Sequence, residues 1–387
     1  MGRDYWTGYR KMIKLILTIR SLNLGGVERQ FLELVKHIDK NKFDVYVCTM
    51  YGGILEDEIK AIHDVHYTNL QKKGRYDLFP FFMKYRSYLA SIQPDVIYSF
   101  LPEMNLFSFW CKPKKTKIIW GIRASNMHLK HYGMMAQLLF ILQKYCSPYI
   151  HCMIANARES IAFYKSQNFE MSHSHVISNG IDTQRFSFLN EHRVAFRERY
   201  SIASNQIVVA LVARYDVMKG YPLFVRVANR IMQEREDMVF VAIGSGNEQI
   251  KESCNALIAD ECKEKFLWIQ ATPKIENLYS GFDILCSTSL FGEGFSNVIA
   301  EAMSCEVPCI VTDVGDSKMI VGECGMVIPP NDEQRLYDAI MQMIQRDRQL
   351  LGKLSRNKIV REFSLQRMVD ETQNIIYKTL HKSYHNA

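Results

Sequence analysis

The chain has 387 residues, of which 48% are hydrophobic, 12% aromatic and 23% charged, a composition that excludes a disordered or fibrous protein. At roughly 150 residues per domain this length predicts two domains. The net charge of +7 is unevenly held: residues 1–185 carry 25 basic against 15 acidic side chains and the remainder 23 against 26, so the first half favours an anionic partner such as nucleic acid, a membrane surface or an acidic substrate.

The first twenty residues hold only a six-residue apolar run, 14–19, with no small-residue cleavage site. No secretion signal is therefore read, a cytoplasmic setting is expected, and residues 1–11 read as an extension before a compact start at Met12. Runs rich in Ile, Val and Tyr at 14–19, 43–50, 95–100, 117–122, 150–156 and 175–178 predict a first series of strands. A second series follows at 206–213, 238–244, 265–269, 283–289, 308–313 and 325–329. Between them, 27–38, 131–147, 219–236, 296–304 and 332–345 carry apolar residues at helical spacing. Continuous apolar strands separated by helices imply parallel sheets covered on both faces. The expected fold class is α/β, with two doubly wound parallel-sheet domains. The Asn-Gly turn of "SNGIDTQRF" (178–186) separates the series, which places domains at 1–185 and 186–365 and a C-terminal helix, 366–387, crossing back to the first.

The stretch "MMAQLLFIL" (134–142) contains Gln137 and falls short of the ~20 apolar residues of a membrane span. The ten cysteines include no C-x-x-C pair, and several lie in apolar runs (Cys48, Cys152, Cys286, Cys305, Cys309), so buried thiols rather than disulfides are expected. His63-x-x-His66 and His128-x-x-His131 lack further partners at ligand spacing and are not read as a metal site.

Ligands of open α/β sheets gather beyond the carboxyl ends of the strands, which makes each strand-to-helix loop a candidate. In "RSLNLGGVERQFLEL" adjacent Gly25 and Gly26 let backbone approach a ligand, and the helix start attracts anions; a plain glycine loop is the alternative. In "LVARYDVMKGYPLF" Arg214 and Lys219 fall at one strand end, where two cations neutralise a diphosphate unless both are merely solvated. In "FGEGFSNVIAEAMSCEVP" (291–308) Gly292 and Gly294 permit a tight turn and Phe295, Ser296 and Asn297 begin a helix suited to a phosphate. Glu293 lies in this loop and Glu301 about one and a half turns into the helix, so the two are expected to serve different parts of one ligand. A carboxylate suits a vicinal diol, which assigns Glu301 to a ribose and Glu293 to a hexose. Acids favoured by the helix start are the alternative, a weaker one for Glu301, whose apolar neighbours make an unpaired carboxylate costly.

Taken with "ARYDVMKG", "IGSGNE" and "SNGIDTQRF", these stretches resemble, in order and over nearly the whole chain, the retaining GT-B glycosyltransferases of family 4. The resemblance implies two Rossmann-like domains facing across a cleft. It implies transfer of a hexose or N-acetylhexosamine from a nucleotide sugar, with uridine the favoured base, to a glycan or polyprenyl-diphosphate-linked acceptor in cell-surface polysaccharide biosynthesis. By the same resemblance Gly25 and Gly26 face the diphosphate, Arg214 and Lys219 stabilise it, Glu293 orients the donor sugar, and Glu301 grips the ribose. Gly294 and the backbone of Phe295, Ser296 and Asn297 would contact phosphate and hexose. Retention of anomeric configuration is implied too, with the leaving phosphate oxygen as base; Glu293 and Glu301 do not provide a double-displacement pair.

Many members carry a His after the fourth strand of the first domain. Here "WGIRASNMH" places Arg123 there, so Arg123 and Asn126 are the candidates for acceptor or donor-sugar contact. No D-x-D occurs, so no metal or other cofactor is expected, the diphosphate charge being met by the cations and helix N-termini. The basic first domain would hold the acceptor. Within it "RYDLFPFFMKYRSYL" (75–89) interleaves Phe79, Phe81, Phe82, Tyr85 and Tyr88 with Lys84 and Arg86, and "CKPKKTK" (111–117) adds cations. Peripheral contact with the anionic inner face of the cytoplasmic membrane is the expectation, a core helix and a solvated loop being equally open. A nucleotide-sugar epimerase on the same double fold is the runner-up. A non-catalytic nucleotide-binding protein comes third, and without an RNA-binding signature no nucleic-acid partner is expected.

Overall fold

The structure, a computed structural model, describes residues 12–23, 25–74, 76–123 and 133–381. The first lobe runs β1 (Ile13–Ile19), α1 (Gly26–His37), β2 (Phe43–Thr49), α2 (Glu56–Lys60), β3 (Val65–Asn69), α3 (Leu78–Ile92) and β4 (Val96–Phe100). It continues through α4 (Pro102–Cys111), β5 (Lys117–Ile122), α5 (Met134–Cys146), β6 (Cys152–Ala155), α6 (Arg158–Ser166) and β7 (Ser174–Val176). The second lobe comprises α7 (Asn190–Arg199), β8 (Ile207–Val212), α8 (Tyr221–Glu234), β9 (Met238–Gly244), α9 (Glu248–Asn255), β10 (Phe266–Gln270) and α10 (Glu276–Tyr279). Then follow β11 (Ile284–Ser287), α11 (Asn297–Ser304), β12 (Cys309–Thr312), α12 (Ser317–Val321), β13 (Met326–Ile328), α13 (Glu333–Ile344), α14 (Arg348–Glu362) and α15 (Leu365–His381).

Both sheets are parallel, in the orders β3-β2-β1-β4-β5-β6-β7 and β10-β9-β8-β11-β12-β13. Helices cover both faces, which is why a strand such as β9 is buried at every residue and reads as an unbroken apolar run. The fold class is the expected one: two doubly wound Rossmann-like lobes. The expected first series lacked one strand, β3, whose "VHYTN" pairs Val65 with Val45 at the sheet edge. One side of an edge strand is unpaired, and the exposed His66 and half-buried Tyr67 leave no continuous apolar run to detect.

Three helices, α3, α4 and α5, lie side by side on one face of the first sheet. Their packing sorts the aromatic segment expected at the surface. Phe81 and Tyr85 are core residues, Tyr85 sharing a 2.9 Å hydrogen bond with Ser108, whereas Phe79 and Met83 face out. Phe81 and Tyr85 are therefore unavailable to a membrane.

The chain crosses between lobes twice, at 178–186 and at 363–365, and the crossings run together. Ile181 N–H donates to Phe363 O at 2.8 Å and Leu365 N–H to Ile181 O at 2.9 Å. Beyond them α15 sets Leu365, Met368, Val369, Ile375 and Ile376 into the core of the first sheet with Leu15, Val45 and Tyr98. Burying each such side chain is worth about 1.5–3 kcal/mol, which fixes the last helix to the lobe the chain left earlier. Gly180 is held at the crossing by Gln30 of α1, whose side-chain amide donates to its carbonyl at 2.9 Å and accepts from its N–H at 3.0 Å.

Candidate active site

In the second sheet the strand order reverses between β8 and β11, and the loops leaving their carboxyl ends bound a crevice. After β8 the chain passes Arg214 and makes a short 3-10 turn, 217–219, capped by Asp216, whose carboxylate accepts Met218 N–H at 3.0 Å. Gly220 follows at φ +63°, the left-handed region glycine favours. The loop after β11 is stitched to this turn. Thr288 Oγ1 donates toward the carbonyls of Lys219 (3.0 Å) and Gly220 (3.2 Å), and Leu290 N–H donates to Met218 O at 2.7 Å.

That stitching aims Lys219 at Glu293, 74 positions away in sequence, and the ammonium donates to Glu293 Oε1. Ser289 Oγ donates to the same oxygen at 2.6 Å. Glu293 is 8% exposed. Burial pushes its carboxyl up, but the charge and hydrogen bond of Lys219, the Ser289 hydroxyl and the field of Arg214 outweigh burial and hold it below the ordinary value. Arg214 is mostly exposed, with Asp216 at 3.8 Å as its ion-pair partner. Phe295 turns its ring into the core against Phe363, so only its backbone remains on the site side. Ser296 begins α11 without a side-chain cap, leaving first-turn N–H groups for an anion.

Glu301, 9% exposed, sits in the second turn of α11 and accepts from Tyr279 Oη at 2.7 Å. Burial raises its carboxyl above the ordinary 4.5 despite that hydroxyl and the nearby Arg29 and Arg185. It opens on a groove between α1 and α11 lined by Arg29, Gln30, Arg185 and Asn297. Across this groove Gly26 stands so close that a Cβ there would lie 3.4 Å from Asn297 Nδ2, and Asn179 Nδ2 donates to Asn297 Oδ1 at 2.8 Å. Gly25 is the extended residue that precedes α1, where Glu28, lifted by burial, lies in the field of Arg20 and Arg214.

Arg123 belongs to the same assembly. It donates to Tyr98 Oη at 2.7 Å and Asn179 Oδ1 at 3.4 Å and lies on the Phe100 ring, while its Nε is buried without a partner among the described residues. Asn126 lies outside the described residues. Gly294 would bring a Cβ within 3.2 Å of Asn156 Oδ1, a buried oxygen with no hydrogen-bond partner among the described residues. The lobes thus meet directly on the glycine-flanked loop.

Sequence reasoning overlooked Ser289, Tyr279, Asn156 and Asn179 as site residues. Asn179 stood inside a quoted motif and was legible as a turn only; Tyr279 carries no local signal of its hydrogen bond to Glu301. A larger cavity of about 630 Å³ lies at the opposite, amino ends of β8, β11 and β12, lined by Arg193, Asp283, Arg346 and Lys353. None of the predicted site residues reaches it, and ligands of such sheets gather at the other end.

Residues 206–346 match the family model described as "Glycosyl transferases group 1", and residues 24–185 match that of "Glycosyltransferase Family 4". The chain belongs to this glycosyltransferase family. A Campylobacter jejuni relative, N-acetylgalactosamine-N,N'-diacetylbacillosaminyl-diphospho-undecaprenol 4-alpha-N-acetylgalactosaminyltransferase, is 22% identical over 90% of this glycosyltransferase and 94% of its own length. An Escherichia coli UDP-Gal:alpha-D-GlcNAc-diphosphoundecaprenol alpha-1,3-galactosyltransferase is 26% identical over 52% of this chain and 53% of its own. Among solved structures, Anabaena HepE in complex with UDP-glucose superposes with a TM-score of 0.80 at 16% identity, covering 95% of this glycosyltransferase and 100% of HepE. Sucrose-phosphate synthase from Thermosynechococcus elongatus gives 0.81 at 16%, covering 96% and 100%. Likenesses at such identity concern the fold alone, and the fold is GT-B.

Proposed function

We propose that this glycosyltransferase moves a hexose or N-acetylhexosamine from a UDP-sugar to a polyprenyl-diphosphate-linked glycan, with retention and without a metal ion. The observation that carries the reading is the Lys219–Glu293 pair, the lysine partly and the glutamate largely buried, placed with Arg214 beside the open start of α11, one helix turn before Glu301. In it Lys219, Arg214 and the α11 N–H groups meet the charge that grows on the departing diphosphate, the work a divalent cation does elsewhere. Glu293, ionised and fixed by Lys219 and Ser289, accepts from donor-sugar hydroxyls; Glu301 takes the ribose diol. Because one Glu293 oxygen already accepts two bonds, it is poorly placed to act as a nucleophile, which favours a leaving phosphate oxygen as base on the attacked face. The lipid-linked acceptor rests on the printed activities of the C. jejuni and E. coli relatives. Those names also disfavour the epimerase reading.

The test is incubation with UDP-hexoses and UDP-N-acetylhexosamines, polyprenyl-diphosphate-linked acceptors and EDTA. Release of UDP with an α-linked product from an α-donor is expected. An inverted product, or turnover only when divalent metal is restored, rejects those parts of the reading. The raised Glu301 carboxyl gives a further expectation: as pH falls it gains a proton and loses acceptor capacity ahead of ordinary carboxylates, so UDP affinity falls before they titrate. Calorimetry with UDP should show that fall and its absence in Glu301→Gln.

Membrane contact belongs to the same proposal, extended to a helix the sequence did not suggest. No helix among the described residues is long and apolar enough to cross a membrane. On α5, however, Met134, Leu138, Ile141 and Tyr145 form an exposed apolar stripe at helical spacing, with Phe79 and Met83 exposed on α3. Lys114 and Lys115, exposed after α4, add positive charge. Vesicles containing anionic phospholipid should carry the protein upward in flotation at low salt, and Leu138→Glu with Ile141→Glu should leave it at the bottom.

A further inference from the structure

Helix α6 begins on the cleft side of β6 with Ala157 at its N-cap, a residue that has no side chain able to bond the first-turn N–H groups. Two of those groups are nevertheless satisfied, from the other lobe. Asp316, between β12 and α12, accepts Arg158 N–H on Oδ2 at 2.9 Å and Glu159 N–H on Oδ1 at 3.3 Å, across 158 positions of sequence, and is itself 5% exposed. The same residue braces the donor loop: its own N–H donates to Gly294 O at 3.1 Å. Its neighbour Gly315, at φ +62°, lies so near that a Cβ would stand 2.6 Å from Glu293 O and 2.7 Å from Gly294 O. The carboxylate is thus fixed to the first lobe while its backbone is fixed to the loop that carries Glu293.

The interlobe groove beside Glu301 holds about 100 Å³, well under the roughly 300–1,000 Å³ of small-molecule sites. A larger ligand seated in this groove beside Glu301 would require its walls, one from each lobe, to part. Parting at this contact would strip α6 of its cap, and closing would restore the cap together with the contact that holds the Glu293–Gly294 backbone. Charge supports the arrangement, since the start of a helix attracts a carboxylate.

We infer that Asp316 is a positioning residue that couples closure of the two lobes to placement of the Glu293–Gly294 loop, by capping α6 from across the cleft. The inference deepens the donor-site reading above and rests on it for its kinetic consequence, whereas its structural consequence can be measured without any donor. In Asp316→Ala the amides of Arg158 and Glu159 should lose protection in hydrogen exchange and the radius of gyration from X-ray scattering should increase. The Kd for UDP should rise about fivefold, the worth of one cap. Asp316→Asn, with a single acceptor oxygen, should fall between wild type and alanine in all three. A melting curve for the second lobe that is unchanged separates these effects from unfolding. If Asp316→Ala does not fold, the asparagine variant alone decides through the same exchange measurement. Unaltered exchange at Arg158 and Glu159 with unaltered UDP affinity would overturn the inference. Failure of the wild type to bind UDP would instead sink the donor-site reading, leaving the exchange and scattering results to judge Asp316.

Discussion

Lys219→Ala is expected to lower kcat by roughly a thousandfold, about 4 kcal/mol of transition-state stabilisation. Two losses combine. On the proposed donor reading the diphosphate loses the less exposed of two cations, because Lys219 is held in the crevice by the turn at 217–219 whereas Arg214 is largely in solvent. Glu293 also loses the charge that chiefly offsets its burial, so its carboxyl shifts upward and the ionised, accepting form is disfavoured. Removing one member of a buried pair typically costs about 3–5 kcal/mol of stability. Ser289 and protonation of Glu293 temper that here, and the single variant should still fold with a lowered melting temperature. The pairing itself is checked by a cycle: Lys219→Met combined with Glu293→Gln should melt closer to wild type than Lys219→Met alone while remaining inactive. Turnover of Lys219→Ala within threefold of wild type, measured as UDP release, would remove the residue from the mechanism.

Gly220→Ala is expected to destabilise the second lobe by about 3 kcal/mol or more. A Cβ at this position would stand 2.0 Å from Thr288 O and 3.1 Å from its carbonyl carbon, and the backbone is at φ +63°. Neither obstacle is a flexible side chain that could swing away. The backbone that must yield on one side starts α8, and on the other carries the strand-end loop with Ser289 and Glu293. Calorimetry should show the second lobe melting roughly 6–12 °C lower, and activity should fall with it because the displaced turn carries Lys219. Gly74→Ala, whose added Cβ would meet nothing within 4 Å among the described residues, is the comparison that should change little.

Much of this architecture was legible along the chain. Apolar runs such as "MVFVAIG" and the helical spacing of 221–234 depend on a few neighbouring residues, and a strand buried on both faces announces itself by composition. The edge strand β3 failed that criterion because one of its flanks has no partner strand and its residues need not be apolar. The glycines at 25–26, 292, 294 and 220 were legible by type as loop positions, and at 220 and 292 a left-handed backbone requires them.

Partnership was not legible. Residue types alone placed Lys219 and Glu293 at two strand ends and assigned them to separate parts of a ligand, but only the adjacency of β8 and β11 in the sheet brings them into contact. Tyr279 reaches Glu301, and Asp316 reaches α6, through packing between elements that share no local pattern. Burial likewise divided α3, taking Phe81 and Tyr85 inward and leaving Phe79 outside, and it exposed the stripe on α5 that its apolar composition would assign to a core. The sequence by itself determined the strands, the helices, the glycine turns and which chemical groups stand at the strand ends, because backbone preference and periodicity act over a few residues. The tertiary structure decided which charges neutralise one another, which aromatic faces meet solvent and how the lobes hold each other, because those depend on groups tens to hundreds of positions apart whose energies exist only once water between them is gone.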